Sequence, residues 1–402
     1  MFALFLIIIC IASVFLSKVI YKTSYNPVNF FVTANVVTLL MGLIYTPPLM
    51  EFENWLELDV LIMLISFISG ASVSHKIQLK KFAPSARFYK RLYSLIMFTS
   101  IIYDIALFFY LHNLFSNFSI YQFFQEMSEV NHFVQSDEYF TGINYFFLPL
   151  GLPLSLLVIY YSRTKGWTYL SVIQYFLCFL HCLSPRRGYL FTFIVVTTLF
   201  LIVTREKAVL TRKHKYIIVV GAVIAVAIMS WTQILMNKSS DSTLTFLGIT
   251  LPSFLTSPYY YLSLNYPYLN TLDYNSITET TTPFLATGRL FYRYIMSGFD
   301  TMTPFALDFR NVGGGIITNT APILYYSYLD FGGFFFVFFI ILGIIGNIAF
   351  SAIKTGKITF VIFSVYYYQL LIMSIRGYDI IYLTFDLSLI YIFIMHQYLF
   401  RR

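Results

Sequence analysis

Unbroken apolar runs of about 20 residues recur along this chain, and no other feature constrains its fold as much. A hydrocarbon core about 30 Å thick needs roughly 20 apolar residues per crossing helix. Runs of that kind lie near 2–20, 28–48, 58–75, 92–114, 143–162, 167–183, 189–204, 216–234, 333–353, 358–375 and 380–399. They are continuous rather than alternating, which excludes the pattern of a membrane β-barrel. The sequence therefore predicts an all-α polytopic integral membrane bundle with about eleven transmembrane helices. Composition agrees, since only 11% of the 402 residues are charged, against about 25% in soluble domains. With 58% hydrophobic residues, a water-soluble fold would lack the polar side chains to coat its surface. A soluble enzyme, a nucleic-acid-binding domain and a disordered scaffold are thereby excluded. Cys10, Cys178 and Cys182 all lie in apolar runs, so no disulfide framework is expected.

The loops set the orientation. KIQLKKFAPSARFYKR (76–91) carries six basic residues and no acid, and TREKAVLTRKHK (204–215) carries five Lys/Arg and one acid. Both belong on the cytoplasmic side by the positive-inside rule. The first run lacks a basic leading region and a small-residue cleavage site before Lys18, so it reads as a retained span with Lys18 and Lys22 inside. Eleven spans then put the N-terminus outside and Arg401–Arg402 inside. EFENWLELD (51–59) and QEMSEVNHFVQSDE (125–138) hold eight acids and no Lys/Arg, and both fall outside. On this topology 19 of the 26 Lys/Arg are inside, and the outside receives Arg186, Arg187, Lys238, Arg289, Arg293, Arg310 and Arg376. Six of those seven are arginine. A guanidinium is a planar fork matched to phosphate oxygens, whereas an ammonium is a point charge. The set therefore favours anion binding over simple snorkelling.

One external segment, 235–331, is far longer than any other loop, and it divides the chain into transmembrane helices 1–8 (1–234), the loop, and helices 9–11 (332–402). It is rich in aromatic and aliphatic residues, as in SPYYYLSLNYPYL and RLFYRYIMSGF, with prolines at 252, 258, 267, 283, 304 and 322. Short interfacial helices folding back over the bundle are expected. TGRLFYRYIMSG (287–298) reads as one of them, with Arg289 and Arg293 four residues apart on one face, able to grip a diphosphate. An interfacial helix holding anionic lipid heads is the competing reading.

Other features carry less. GGG at 313–315 lacks the Lys and Ser/Thr of a nucleotide-binding loop. CFLHC (178–182) sits within a span, where helix packing accounts for it better than a metal. Asp104 and Asp386 are the acids placed within spans, and intramembrane carboxylates are functional suspects. They are the main support for a transporter, although no internal repeat of the kind common in secondary transporters is visible.

Two stretches resemble a family. SPRRGYLFTFIV (184–195) enters a span from outside with Arg187–Gly188, and NTAPILYYSYLDFGGFFFVFFIILG (319–343) closes the long loop with Tyr328, Leu329, Asp330, Phe331 and Gly332. With about eleven spans and one large external loop, the chain resembles the bacterial O-antigen polymerases, the oligosaccharide repeat-unit polymerases. The layout covers nearly the whole chain and the motifs about 40 residues. One departure stands out: no Arg here is followed by Gly eleven positions on, a spacing that some members carry in their loops.

The resemblance implies a GT-C-like fold in the bacterial inner membrane, multi-pass, with its active site facing the periplasm. It implies a metal-independent glycosyltransferase without cofactor, moving a growing glycan from undecaprenyl diphosphate onto the next lipid-linked repeat unit in lipopolysaccharide biosynthesis. Its partners would be the undecaprenyl-diphosphate-linked oligosaccharide, membrane lipid, a chain-length regulator and a flippase, with no nucleic acid. The implied catalytic residues are Arg187, Arg289, Arg293 and Asp330, the arginines on the leaving diphosphate and Asp330 as candidate base. Arg186, Arg310, Arg376, Asp379 and Asp300 are the implied substrate-binding set, and Asp308 is a further candidate base. The alternatives are a lipid-linked oligosaccharide flippase or an O-antigen ligase. Ligases often depend on a histidine in the long loop, and all six histidines here (75, 112, 132, 181, 214, 396) lie outside 235–331.

Overall fold

The structure, a computed structural model, describes residues 2–23, 25–43, 45–46, 52–73, 81–119, 121–122, 129–130, 146–182, 187–204, 216, 220, 223, 227, 244–246, 249–251, 259–260, 262–275, 286–287, 309–313, 317–377 and 383–401. Helix dominates. In chain order the elements are α1 (Phe2–Tyr21), α2 (Pro27–Leu43), β1 (Tyr45–Thr46), α3 (Asn54–Val73), α4 (Ala86–Asn117), α5 (Gly151–Lys165), α6 (Tyr169–Cys182) and α7 (Arg187–Val203). They continue with β2 (Leu244–Phe246), β3 (Ile249–Leu251), α8 (Asn265–Asn270), β4 (Arg310–Asn311), β5 (Ile317–Thr318), α9 (Ile323–Phe331), α10 (Phe335–Ile353), α11 (Ile358–Met373) and α12 (Leu383–Phe400).

Among the described residues, four helical stretches are long and apolar enough to cross a membrane: Phe2–Tyr21, Asn54–Ser72, Ala86–Asn117 and Ile323–Ile353. Five more apolar helices among the described residues are shorter, at 10–17 residues. Ten of the eleven expected runs fall on helices among the described residues. The run at 216–234 lies almost wholly outside them.

Local chemistry explains several boundaries. The Asn26 side chain accepts the Asn29 N–H at 2.9 Å just ahead of Pro27, so α2 starts with a cap and a proline at its first position. Ser85 caps α4 through the Phe88 N–H at 3.2 Å. At about 1.5 Å per residue, the 32 residues of α4 run about 48 Å, longer than the hydrocarbon core, and its first turns carry Arg87, Lys90 and Arg91.

The chain forms two compact units. The first comprises 1–78, 240–351 and 367–383, and the second 79–239, 352–366 and 384–402. In the first unit α3 and α10 meet backbone to backbone. A Cβ built at Gly70 would overlap the Ile340 carbonyl, and one at Gly343 would overlap the Phe67 carbonyl and crowd the Ala71 nitrogen. Such small-residue crossings let helices approach closely where lipid offers no hydrophobic drive to association. One turn on, a Cβ at Gly346 would stand 2.9 Å from Pro27 and 3.3 Å from the Tyr367 ring.

The described parts of the long segment 235–331 belong to the first unit. They contain α8 and α9, but also strands that the aromatic-rich sequence did not announce. β2 and β3 form an antiparallel pair, and β2 also pairs with β1, with Tyr45 opposite Phe246. β4 and β5 form a second small antiparallel pair, with Arg310 opposite Thr318. A small core of Tyr259, Leu264, Tyr268, Val312 and Ala321, with Met41 and Tyr325 against it, anchors the segment. The helix expected at 287–298 lies outside the described residues apart from Thr287.

In the second unit α4, α5, α6 and α7 pack in sequence. A Cβ at Gly151 would strike the Tyr103 ring, so α5 begins directly under that side chain. Tyr103 donates to the Leu177 carbonyl of α6 at 3.3 Å.

Candidate functional site

The first unit holds a buried polar layer that runs from α2 and α3 into the long segment. Asn35 on α2 accepts the Tyr266 hydroxyl at 2.6 Å and donates to Ser374 Oγ at 3.1 Å. The Ser374 carbonyl in turn accepts the Ile323 N–H at 2.7 Å, satisfying the start of α9. From α9, the Tyr328 hydroxyl donates to Asp59 Oδ2 on α3 at 2.6 Å. Asn35, Tyr266, Tyr328 and Ser374 are fully buried or nearly so, and Asp59 is only 6% exposed. A buried carboxylate costs several kcal/mol unless charge-assisted hydrogen bonds repay it, and here the phenol supplies one.

This layer corrects one expectation. The sequence places Asp59 at the end of the acidic external stretch 51–59 and leaves Asp104 and Asp386 as the acids within spans. α3 begins at Asn54, so Asp59 lies inside the helix, in its second turn. The sequence signal was present in the run of apolar residues that follows Asp59, and the row of acids just before it masked the helix start.

The long segment is pinned at several further points. Tyr259 donates to the Met41 carbonyl at 2.5 Å, and Asn270 Oδ1 accepts the Glu53 N–H at 2.8 Å. Burial pushes the Tyr259 phenol up to about 12 and that of Tyr266 well above its usual range, so both stay protonated donors at any physiological pH. Tyr274 meets Trp55 in a tilted arrangement with ring centroids 5.0 Å apart, and meets Tyr328 edge-on at 5.9 Å. Burial raises the Tyr274 phenol, and the Asp59 charge raises it further.

Asp330 is the expected site residue whose surroundings are most fully described. It is 2% exposed, at the end of α9. Its Oδ1 accepts the Ala286 N–H at 2.5 Å, and its Oδ2 accepts the Thr287 N–H at 3.0 Å and the Thr287 hydroxyl at 2.5 Å. Both oxygens are thus engaged in gripping the 286–287 turn. Gly332, at φ +53°, ends the helix immediately after it.

The arginines divide between the units. Arg310 is half-buried on β4 and donates from Nη1 to the Thr271 carbonyl at 2.9 Å. Arg376 follows α11, two residues after Ser374, and its N–H bonds the Met373 carbonyl at 2.9 Å. Both lie in the same unit as Asp330. Arg187 is the first helical residue of α7 in the second unit, and only its backbone is described. Arg186, Arg289, Arg293, Asp300, Asp308 and Asp379 lie outside the described residues.

Of the intramembrane acids first suspected, Asp104 on α4 accepts from Gln174 Nε2 on α6 at 2.9 Å. Asp386 lies in the first turn of α12. No family model, no curated protein and no solved structure matches this chain.

Proposed function

We propose that this protein polymerises lipid-linked oligosaccharide repeat units at the periplasmic face of a bacterial inner membrane. In this reading the acceptor hydroxyl oxygen bonds to C1 of the donor glycan while the bond from C1 to the diphosphate breaks. Undecaprenyl diphosphate leaves with the bonding electrons, and the acceptor proton passes to a base. Charge builds on the leaving phosphate, and guanidinium groups fixed in a poorly solvated site stabilise it without a metal. From the resemblance, Arg187, Arg289 and Arg293 take that role, and Arg186, Arg310 and Arg376 contribute to binding the substrate. The acceptor needs a carboxylate base, for which the external acids Asp300, Asp308, Asp330 and Asp379 are the candidates, Asp330 having the best motif position. Asp330 already accepts three short hydrogen bonds from the 286–287 turn, so its first task in this mechanism is to hold the arginine-bearing loop on the bundle.

The observation that carries the reading is the way the one long segment is built onto the apolar helices. Buried side chains tie it down at Met41, Asn35 and Glu53 through Tyr259, Tyr266 and Asn270, and at Asp59 through Tyr328. A loop that merely joined two spans would not need buried polar anchors, each of which costs desolvation. The rival flippase would draw on Asp104 and Asp386. A glycan gel of a deletion strain separates the two: a single capped repeat unit supports the polymerase, and loss of all surface polymer supports the flippase.

A further inference from the structure

The long segment and the start of α3 together leave a pair of aromatic rings at the surface, edged by carboxylates. Trp55 and Tyr274 are both partly exposed, with centroids 5.0 Å apart and planes tilted by 43°. Tyr328 closes the inner edge of Tyr274 at 5.9 Å and 86°. At the outer edge, Glu53 Oε2 accepts the Trp55 indole N–H at 3.0 Å, which fixes the ring and orients the carboxylate beside it. Glu53 is itself placed by its N–H bond to Asn270. Asp273, one residue before Tyr274, is exposed.

We propose that Trp55 and Tyr274 form a saccharide-binding platform, on which a pyranose ring stacks while Glu53 and Asp273 accept hydrogen bonds from its hydroxyls. This deepens the polymerase reading and rests on it for the source of the sugar. The physical case comes from the rim. An aromatic pair that served only as a membrane belt would be flanked by cations or neutral groups, because anionic lipid heads repel carboxylates. Carboxylates accept strongly from hydroxyls, and a sugar offers C–H faces for the rings together with O–H groups for the edge. A cation cage would need rings closing on the ligand from several sides. Here two partly exposed rings are tilted by 43° to one another, and the third ring, Tyr328, is buried and meets Tyr274 edge-on. The Asn270–Thr271 turn that positions Tyr274 also receives Arg310 on the Thr271 carbonyl, so one short segment orders the platform and a cation of the proposed phosphate set.

The test uses the full-length protein in detergent, with Trp167→Phe and Trp231→Phe leaving Trp55 as the single tryptophan. The probe is the oligosaccharide released by mild acid from the host's own lipid-linked intermediates, with choline chloride as the competing probe. The expected result is saturable quenching of Trp55 emission by the oligosaccharide, weakened about tenfold or more by Tyr274→Ala and largely kept by Tyr274→Phe, with no response to choline. Quenching by choline alone, or by neither probe, overturns the proposal. So does equal saccharide affinity in the Tyr274→Ala protein. A strain in which deletion leaves the polymer ladder unchanged would sink the polymerase reading, and the fluorescence titration would still report on the platform. A ladder that depends on the chain, with no quenching, would sink the platform alone.

Discussion

In the first unit, α3 and α10 touch backbone to backbone at Gly70 and Gly343, and a connected layer of Asn35, Asp59, Tyr266, Tyr328 and Ser374 crosses the helices nearby. In the second unit the elements are joined by separate hydrogen bonds: Gln174 to Asp104 and Tyr103 to the Leu177 carbonyl between α4 and α6, Ser388 of α12 to the Pro149 carbonyl, and Thr359 with His396 between α11 and α12. Both units turn apolar residues outward, as with Phe5, Ile8, Ile11 and Phe15 on α1 and Leu170, Val172, Ile173 and Phe176 on α6. The contrast follows from the solvent. Lipid tails are as apolar as leucine, so burying apolar surface between helices gains little there, and close backbone approach or hydrogen bonding must fix geometry. The first unit thus combines a close backbone crossing with a buried polar layer around the segment proposed to carry the chemistry, while the second is joined by hydrogen bonds spread over separate helix pairs.

Substituting the glycine crossing tests that difference most severely. Gly70→Leu should cost about 3 kcal/mol or more, because the new side chain meets backbone that cannot rotate away. Thermal unfolding in detergent should show a strongly lowered midpoint or no folded protein at all. Gly333→Ala, with nothing within 4 Å of the added Cβ, should stay within about 0.5 kcal/mol of the parent. Equal behaviour of the two variants, both in the first unit, would show that the crossing at Gly70 adds nothing to that unit's specificity.

Next in size is the clamp on the long segment. Asp330→Ala removes the acceptors for two N–H groups and a hydroxyl, at a cost of about 2–4 kcal/mol. Limited proteolysis within 235–331 should accelerate while the rest of the chain stays protected, and Asp330→Asn should recover part of the loss. Uniform loss of protection along the chain would show that Asp330 does not act on the segment specifically.

The smallest effects come from a matched pair of hydrogen-bond deletions. Tyr328→Phe strands the buried Asp59 carboxylate and should cost about 1.5–3 kcal/mol. Gln174→Leu in the second unit should cost about 1 kcal/mol or less. A larger loss from Gln174→Leu would mean that the second unit is held as specifically as the first.

Much of the helical layout was legible in the sequence, because a membrane span demands length and apolarity and both can be read directly. The start of α3 was not, since Glu53, Glu57 and Asp59 look like a solvated loop until Tyr328, 269 residues away, is seen to satisfy Asp59. The glycine crossing was equally hidden: Gly70 and Gly343 each sit in an ordinary apolar run, and only their juxtaposition gives them a role. Asp330 was singled out from its motif position, whereas its partners at 286–287 are set by tertiary folding. Trp55 is one of three tryptophans and Tyr274 one of 34 tyrosines, and composition alone conveys nothing about which rings meet.

The central claim, transfer of glycan from a diphosphate held by arginine, has one direct measurement. Arg187→Ala, expressed at the parent level in a strain lacking its own copy, should yield lipopolysaccharide bearing single repeat units, seen as one band above the core on a glycan gel. A full ladder of long chains from that strain would contradict the account.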